Sequence, residues 1–449
     1  MHNSERLIRK LVGMALPAVV ATAAVVVAIP TSAVASGGSA ADWMYDGRFG
    51  VMQHYLAEGC PAGCSLSDYP DNMPTVEEWN DRVNHYDVDG VAQQLKSGGA
   101  GWLQIAVGQN TGYFSAPNAT YDHVVPPMAD RPSRLSKRDL IKELGPALHK
   151  EDIKLIVYMT DDAIQRDDYA RKKLGGDSQG WGAPNATYQE NWLKVVKTWS
   201  QQWGTDVDGY WVDGSYYDHL EPFYDQMAAN LRSGNPNALL AFNAGFQTPL
   251  KSVTTQSDFS AGETGVSGWT RPTDGRWVDN RGTQTQLQYL GVAQGDWGFP
   301  ADQPMSYSAE QLAAHTLSVN RVGGAATWDV GYNRANGHIS DPAMEQLKKV
   351  GQAVGKLPTP LVGAGSNKCV DVPGASTADG TDLQLYDCNG TRAQKWTFNP
   401  ETREVRALGK CMDVQQADAS DFGGGTGDGA RLIIHACHGG SNQKWRLSA

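Results

Sequence analysis

Short apolar segments alternate with amphipathic segments from residue 48 to about residue 355. The apolar segments are rich in β-branched and aromatic residues and end at Gly, Asn or Asp, which is typical of buried strands. They span 48–56, 101–110, 154–161, 207–215, 238–245, 257–263, 288–297 and 325–331. Helical patterns lie between them, at 89–97, 137–150, 188–203, 221–233, 308–322 and 342–355. Strands that alternate with helices form right-handed βαβ units on a parallel sheet.

Eight such units in about 308 residues have the size of an α/β fold of the (β/α)8 TIM-barrel type. We therefore predict this barrel over residues 42–356. An open, doubly wound sheet is the alternative. No strand is followed by a Gly-rich turn with a ribose-binding acid, so the pattern favours the barrel.

The pattern changes at residues 357–360, a Leu-Pro-Thr-Pro sequence that predicts a short, stiff linker. Two copies of one motif follow. Each copy has a Cys-x-Asp-Val run, a second cysteine and a Gln-Lys-Trp run, at 369–372, 388 and 394–396 and again at 411–414, 437 and 443–445. A repeat of about 40–50 residues indicates units that share one core. We predict a small all-β module over residues 361–449.

The N-terminus reads as a leader for export. Arg6, Arg9 and Lys10 precede an apolar run over 11–29, and a small-residue Ala-Val-Ala site follows it. This order predicts a signal peptide over residues 1–35 and a secreted, extracellular protein, with an uncleaved membrane anchor as the alternative.

Export permits disulfide bonds. Six cysteines allow 15 connectivities, and their clustering favours three pairs. These are Cys60 with Cys64, Cys369 with Cys388, and Cys411 with Cys437.

The charge balance excludes one class of partner. The chain has 38 Lys and Arg against 49 Asp and Glu, a net charge of −11. An acidic chain does not favour a nucleic-acid backbone. No cofactor and no metal are expected, because the sequence lacks a phosphate loop, a His-x-His pair, a His-Glu-x-x-His motif and a Gly-x-Ser-x-Gly elbow. The 14 Trp and 17 Tyr residues offer flat faces that suit sugar rings. We expect a carbohydrate partner, with no membrane contact once the leader is removed, and leave the oligomeric state open.

Barrel enzymes place their chemistry at the C-terminal ends of the strands. The polar and aromatic residues at those ends are His54, Gln109, Asn110, Asp161, Asp162, Asp213, Asn243, Glu263, Asp296, Trp297 and Asp329. Carboxylates, amides and indoles that converge on one rim suit the cleavage of glycosidic bonds, which requires two carboxyl groups.

The run at 208–214, Asp-Gly-Tyr-Trp-Val-Asp-Gly, resembles the nucleophile segment of glycoside hydrolase family 29, the α-L-fucosidase family. The first strand, with His54 at that family's sugar-binding histidine, and the segments at 87–101 and 138–155 extend the resemblance over 48–355. It implies that Asp213 is the nucleophile. Glu263 is the acid/base we favour and Asp329 the reserve. Tyr216 and Tyr217, just after Asp213, could wall a sugar subsite or be ordinary rim aromatics.

One departure from the fucosidase pattern bears on the choice of substrate. Fucosidases carry Lys-His-His-Asp-Gly-Phe after the second strand, whereas residues 108–113 here read Gly-Gln-Asn-Thr-Gly-Tyr. The leading hypothesis is a secreted retaining exo-glycosidase, α-L-fucosidase-like, with a carbohydrate-binding tail. A catalytically silent lectin and a barrel glycosidase of another family are the alternatives.

The repeated motif resembles a ricin-type β-trefoil lectin, or carbohydrate-binding module of family 13. The resemblance implies that the Gln and Trp of each Gln-x-Trp run are core residues. It implies sugar contacts from Asp371, Tyr386, Asn389, Asp413, His435, His438 and Asn442, with Ala393 where a binding Asn often sits. Asp371 and Asp413 could instead cap turns. The family's trefoil has three repeats and this chain shows two, which would leave an apolar flank open. Either that flank packs on the barrel or on another chain, or the module has lost a copy.

Overall fold

The computed structural model describes residues 39–57, 73–161, 164, 166–176, 183–246, 250, 252–264, 275–295, 297, 303–399, 402–415 and 429–446. The predicted leader, Cys60, Cys64, Asp162 and Asp296 lie outside these ranges. No helix in the described ranges has the length and apolar character needed to cross a membrane.

Seven parallel strands form the central sheet of the first domain, and a hairpin is inserted before the last two. In chain order they are β1 (Phe49–Gln53), β2 (Trp102–Ala106), β3 (Lys154–Thr160), β4 (Gly209–Asp213), β5 (Leu239–Phe242), the hairpin strands β6 (Trp277–Asn280) and β7 (Thr283–Gln286), β8 (Gln288–Val292) and β9 (Ala325–Asp329). The sheet order is β5-β4-β3-β2-β1-β9-β8.

The segment at 258–263 closes this sheet into a ring. Asp258 N donates to Leu240 O at 2.7 Å on the β5 side, and Leu290 N donates to Gly262 O at 2.8 Å on the β8 side. Glu263 pairs with Leu290 in parallel fashion. The segment therefore occupies the place of an eighth strand, and the predicted (β/α)8 barrel is confirmed.

Ten helices are present in the described part of the chain. They are α1 (Asp42–Gly47), α2 (Val76–Asn84), α3 (Val88–Gly98), α4 (Ala119–Val124), α5 (Leu140–Lys150), α6 (Asp168–Leu174), α7 (Ala186–Trp203), α8 (Glu221–Leu231), α9 (Ala309–Arg321) and α10 (Asp341–Ala353). Six of them match the predicted helices to within three residues at either end. Side chains of Asp87, Asp139, Asn185 and Ser308 cap N-termini by accepting a backbone N–H. The short helices α1, α2, α4 and α6 and the β6–β7 hairpin were not predicted, because none has a long periodic pattern.

The strands alternate strictly between two packing environments. Residues such as Leu103, Val157 and Val212 pack outward against the helices. Residues such as Met52, Trp102 and Trp211 form a separate buried cluster inside the ring. This period of two places Asp213 on the inward face of β4, two residues after Trp211.

Trp102 fills the lower interior of the barrel. Its Nε1 donates to Thr327 Oγ1 at 3.0 Å, from β2 past β1 to β9. The indole lies so close to β1 that only Gly fits at position 50, since a Cβ there would meet Trp102 Nε1 at 2.1 Å. The glycine at position 50 of β1 is therefore required by the Trp102 side chain of the neighbouring strand β2.

The second domain is all β, as predicted. Its strands are β10 (Cys369–Asp371), β11 (Thr381–Asp382), β12 (Gln384–Tyr386), β13 (Thr397–Phe398), β14 (Val405–Ala407), β15 (Lys410–Val414) and β16 (Leu432–His435). Disulfides join Cys369 to Cys388 and Cys411 to Cys437. Trp396 Nε1 donates to Val370 O and Trp445 Nε1 to Met412 O; Trp396 is buried in the core of this domain, and Trp445 is partly buried against it.

The predicted linker is partly built into this second domain. Thr359 exchanges two backbone hydrogen bonds with Trp396, at 2.8 and 3.0 Å. Beside it, a crevice of about 450 Å³ separates the base of the barrel from the tail and is lined by residues of both. Part of the tail's apolar surface is open, since Val362, Leu385, Tyr386 and Leu432 are exposed.

We predict that Gly50→Ala destabilises the barrel by about 1–3 kcal/mol, because the added methyl group forces Trp102 out of its position. Urea denaturation followed by tryptophan fluorescence measures the change. Gly275→Ala is the matched control, because no atom lies within 4 Å of the Cβ it would add. Equal midpoints for the two variants would contradict this account of β1.

Candidate active site

Asp213 ends β4 and is held by several donors at the C-terminal rim of the barrel. Tyr158 OH donates to Asp213 Oδ2 at 2.6 Å, and the backbone N–H of Gly214 donates to Oδ1 at 2.9 Å. Asn243 Nδ2 also donates to Oδ1, at 2.8 Å. Gly214 has a φ of 91°, a left-handed conformation that favours Gly after the carboxylate. These contacts fix the orientation of the Asp213 side chain.

Glu263 lies across the same rim, at the end of the closing segment. Burial and, after it, the charge of Asp213 raise the pKa of Glu263 to about 7, while the hydrogen bond from Asn243 opposes the change. A carboxyl group with this pKa keeps its proton in about half of the molecules at neutral pH and in most of them below it. Glu263 therefore has the protonation state that a general acid requires.

One amide joins the two carboxyl groups. Asn243 Nδ2 donates to Asp213 Oδ1 at 2.8 Å and to Glu263 Oε2 at 2.6 Å. The two bridged oxygens are therefore no more than about 5.4 Å apart, which is the two bonds laid end to end. Carboxyl groups at about 5–5.5 Å are typical of retaining glycosidases, and inverting enzymes need about 6.5–9.5 Å.

A cavity of about 230 Å³ opens above this pair. Its lining combines an apolar wall with polar groups, namely Met52, His54, Leu56, Gln109, Asn110, Tyr158, Arg166, Trp211, Asp213, Glu263, Leu290 and Trp297. A small concave site with an indole wall and a few converging polar groups suits a single sugar ring.

His54 is the polar group most clearly left for a ligand. The side chain is buried, and neither ring nitrogen has a hydrogen-bond partner in the described part of the chain. Burial lowers the pKa of His54 to about 4, with Asp213 acting in the opposite direction. The imidazole is therefore neutral at pH 7 and can both donate to and accept from a sugar hydroxyl.

The structure brings together most of the residues predicted for the barrel site. His54, Gln109, Asn110, Asp213, Glu263 and Trp297 all line the cavity. Tyr216 is half exposed at the rim, with its hydroxyl 3.4 Å from Asp213 Oδ1. Tyr217 packs in the loop that follows, where its N–H donates to Tyr224 OH.

Three of the residues predicted at the strand ends do not line the cavity. Asn243 faces the two carboxyl groups rather than the cavity. Asp161 is buried and accepts from Ser215 Oγ at 2.8 Å, so it supports the loop after Asp213. Asp329 is buried inside the barrel and does not line the described cavity. A strand end marks the rim, but it does not show whether a side chain there reaches the ligand.

Two polar residues of the cavity were not predicted. Tyr158 lies on β3, two residues before its end, and its inward position follows from the period of two. Its hydroxyl also accepts from Gln109 Nε2 at 2.6 Å, so Gln109 acts on Asp213 through Tyr158. Arg166 lies in the loop after β3, and no pattern in the sequence distinguishes it from other loop arginines.

The two repeats of the tail build one arrangement twice. Gln394 Nε2 donates to Asp371 Oδ2 at 3.0 Å, and its Oε1 accepts from the N–H of Asn389. Gln443 Nε2 donates to Asp413 Oδ2 at 2.8 Å, and its Oε1 accepts from the N–H of His438. The glutamine of each Gln-x-Trp run thus orients the carboxylate of each Cys-x-Asp-Val run.

The groups predicted to bind sugar surround these two carboxylates unequally. In the first repeat Tyr386 is half exposed, Asn389 Oδ1 accepts from Thr391, and Ala393 is buried. In the second repeat Asn442 Nδ2 donates to Asp413 Oδ1 at 3.0 Å. The second repeat therefore presents the fuller set of polar groups.

Two family models match the chain. Residues 128–356 match the model described as alpha-L-fucosidase, and residues 358–449 match the ricin-type beta-trefoil lectin domain. Among solved structures, an alpha-L-fucosidase isoenzyme 1 from Paenibacillus thiaminolyticus is 18% identical with a TM-score of 0.52, over 88% of this chain and 94% of that one. An endo-fucoidan hydrolase of glycoside hydrolase family 107 is 14% identical with a TM-score of 0.53, over 70% and 93%. At 14% and 18% sequence identity, the similarity to these two structures shows the fold alone.

Curated relatives match over short stretches of the chain. A seed lectin of Trichosanthes anguina is 54% identical over 44 residues, which is 10% of this chain and 8% of the lectin. Serine protease 1 of Rarobacter faecitabidus is 47% identical over 51 residues, 11% of this chain and 10% of the protease. The chain thus spans about a tenth of the length of the curated relatives it matches.

We predict that Asp213→Asn lowers the pKa of Glu263, because the variant removes the negative charge that opposes ionisation of Glu263. Asn243→Ala should raise it, because the lost hydrogen bond favours the charged form. Carbon-13 NMR of glutamate-labelled protein measures both, with Glu263→Gln identifying the signal. Exposed Glu190, paired with Lys194, is the internal control. A Glu263 titration that does not respond to Asp213→Asn would contradict the proposed coupling.

Proposed function

The chain belongs to the alpha-L-fucosidase family, and we propose that it is a secreted, retaining exo-glycosidase that removes terminal α-L-fucose-like sugars and binds its glycan through the tail. The observation that carries the proposal is the Asn243 bridge, which holds an oxygen of one carboxylate and an oxygen of one raised-pKa carboxyl group no more than about 5.4 Å apart. The family match supports hydrolysis of a glycosidic bond, and the remaining details are inferred from the site.

Asp213 is the proposed nucleophile and Glu263 the proposed acid/base. Asp213 attacks the anomeric carbon and forms a covalent glycosyl ester, while Glu263 gives its proton to the departing glycosidic oxygen. Glu263, now ionised, then takes a proton from water as the water attacks the anomeric carbon and releases Asp213. Two inversions at one carbon give net retention of its configuration.

The cavity supports cleavage of one terminal sugar at a time. Its volume of about 230 Å³ accommodates one ring. Trp211 and Trp297 offer flat faces for C–H groups, and the neutral His54 and Asn110 offer hydrogen bonds to hydroxyls. Because Gln109 and Asn110 stand where fucosidases have two histidines, the hydroxyl pattern that this cavity prefers can differ from that of fucose.

The tail supports a binding role alongside hydrolysis. Its lectin-family match and the two amide-held carboxylates, Asp371 and Asp413, support glycan contacts in each repeat. A tail that holds the polymer raises the local concentration of chain ends near the barrel. Secretion is inferred from the basic and apolar leader in the sequence.

A glycan-binding protein with a silent barrel is the second candidate. The contact that favours it is the 2.6 Å bond from Gln109 to Tyr158, because it ties up an amide at a position where fucosidases present a histidine. The two candidates differ in one measurable property, which is turnover.

We predict that the protein hydrolyses at least one aryl glycoside in a panel of α-L-fucoside, α-galactoside, β-galactoside and β-arabinoside, and that Asp213→Asn lowers kcat at least about 1,000-fold, because the amide is not a nucleophile. NMR of the first-formed sugar tests retention. A circular dichroism spectrum and an unfolding midpoint equal to those of the unaltered protein show that Asp213→Asn folds. Silence of the unaltered protein across the panel favours the binding-protein candidate.

The acid/base assignment has its own test. If Glu263 must be protonated, kcat/KM falls as pH rises through about 7, where its carboxyl group loses the proton. Glu263→Gln should abolish this limb and slow unactivated disaccharides more than nitrophenyl glycosides, whose leaving group needs no proton. Asp329→Asn should keep the limb. Loss of the limb in Asp329→Asn instead would move the role to Asp329.

A further inference from the structure

The second repeat of the tail contains a cluster of nitrogen and oxygen ligands that the first repeat lacks. One ligand atom each from Asp413, His435 and His438 lies within 4.8 Å of the other two. The cluster is distinct from the barrel site, and its members come from β15, from the end of β16 and from the turn after Cys437. The spacing of about 22–25 residues between Asp413 and the histidines is why no ligand motif is visible in the sequence.

We propose that Asp413, His435 and His438 form a binding site for a divalent transition-metal ion of the Zn²⁺ type. Two imidazoles and one carboxylate are ligands that Zn²⁺ commonly takes, with the remaining position open to water or to another ligand. The site needs no cofactor and involves no redox step.

The distance between two of the three ligand atoms already suits a metal ion. His438 Nε2 lies 3.3 Å from Asp413 Oδ2. Bonds of about 2.0–2.2 Å at a tetrahedral ion place neighbouring ligand atoms about 3.3–3.6 Å apart. The third ligand, His435, is partly exposed and lies edge-on to His438, with ring centroids 5.7 Å apart. An imidazole at a partly exposed position can rotate by the small amount that closes the triangle.

The Asp413 carboxylate accepts hydrogen bonds from neighbouring side chains, and such bonds commonly orient the ligands of a metal ion. Asp413 is buried, with Gln443 Nε2 on Oδ2 at 2.8 Å and Asn442 Nδ2 on Oδ1 at 3.0 Å. Such donors orient a ligand and limit the entropy lost when the ion binds. His435 Nδ1 lies 3.2 Å from the Ala436 carbonyl, a contact that leaves Nε2 as the outward nitrogen.

The first repeat shows that the repeat fold does not by itself require these ligands. Asp371 has the same glutamine contact as Asp413, but Tyr386 stands at the position of His435 and Asn389 at that of His438. A phenol and an amide are poor ligands for Zn²⁺ at neutral pH. The two repeats therefore share the glutamine–aspartate contact that builds the fold, and only the second repeat has the two histidines that a metal ion would use.

A neighbouring acid and cysteine pair is not a competing site. Glu404, Cys411 and Cys437 also lie close together. The two cysteines form a disulfide, with an S–S distance of 2.07 Å, so neither supplies a thiolate.

The test is Zn²⁺ binding by the full chain, made without a histidine tag, stripped with EDTA and titrated calorimetrically at about pH 7.5, because protons compete with metal ions for imidazole ligands at lower pH. We expect one ion per chain. His435→Tyr and His438→Asn, which install the residues of the first repeat, should each weaken binding at least tenfold, and the double variant should abolish it. Co²⁺ in place of Zn²⁺ should give visible absorption that the double variant lacks.

The matched control is His85→Asn with His123→Asn, which removes two exposed imidazoles from the barrel and should leave the stoichiometry at one. Circular dichroism confirms that all variants fold. The proposal is overturned if the unaltered chain takes up no Zn²⁺, if the double variant in the tail binds as tightly as the unaltered chain, or if the barrel control loses the ion.

Discussion

Two acidic side chains held by one amide are the constraint around which the barrel site is organised. Asn243 has two N–H groups on a single nitrogen and gives one to Asp213 and one to Glu263. At this separation, two full negative charges in a partly buried site repel strongly. The arrangement is favourable when one of the two carries a proton, and the raised pKa of Glu263 identifies it as the one that does. The proton needed for bond cleavage is thus also what stabilises the resting site.

The same bridge indicates which oxygen of Glu263 carries that proton. Oε2 accepts from Asn243 and so acts as the carbonyl-like oxygen, which leaves the hydroxyl to Oε1. Asp213 is different, because both of its oxygens accept from donors that the protein holds in place, Tyr158 on one side and Gly214 on the other. The two carboxyl groups have the same chemistry in isolation, and their surroundings give one the form of an acid and the other the form of a base.

The sequence predicted the positions of this site better than its contacts. Asp213, Asn243 and Glu263 were found because each stands at the C-terminal end of an apolar segment. Tyr158 was missed because it lies one inward position earlier on β3, where the pattern resembles ordinary core. Asn243 was identified, but its contact with both carboxyl groups depends on how β5 and the closing segment meet. That relation between two segments is set by the curvature of the ring, and a linear pattern does not contain it.

In both the barrel and the tail, a side-chain amide orients carboxyl groups by donating hydrogen bonds to them. In the barrel one amide holds two carboxyl groups, whereas in each tail repeat the glutamine holds one. In each tail repeat a glutamine of the Gln-x-Trp run donates to a single carboxylate, Asp371 or Asp413. That glutamine orients the carboxylate to accept sugar hydroxyls or, at Asp413 beside His435 and His438, to hold a cation. In the barrel a second acid shares the amide, and the pair must keep a proton. The proposed role of Glu263 as an acid therefore rests on the acidic neighbour with which it shares an amide, and not on the amide contact alone.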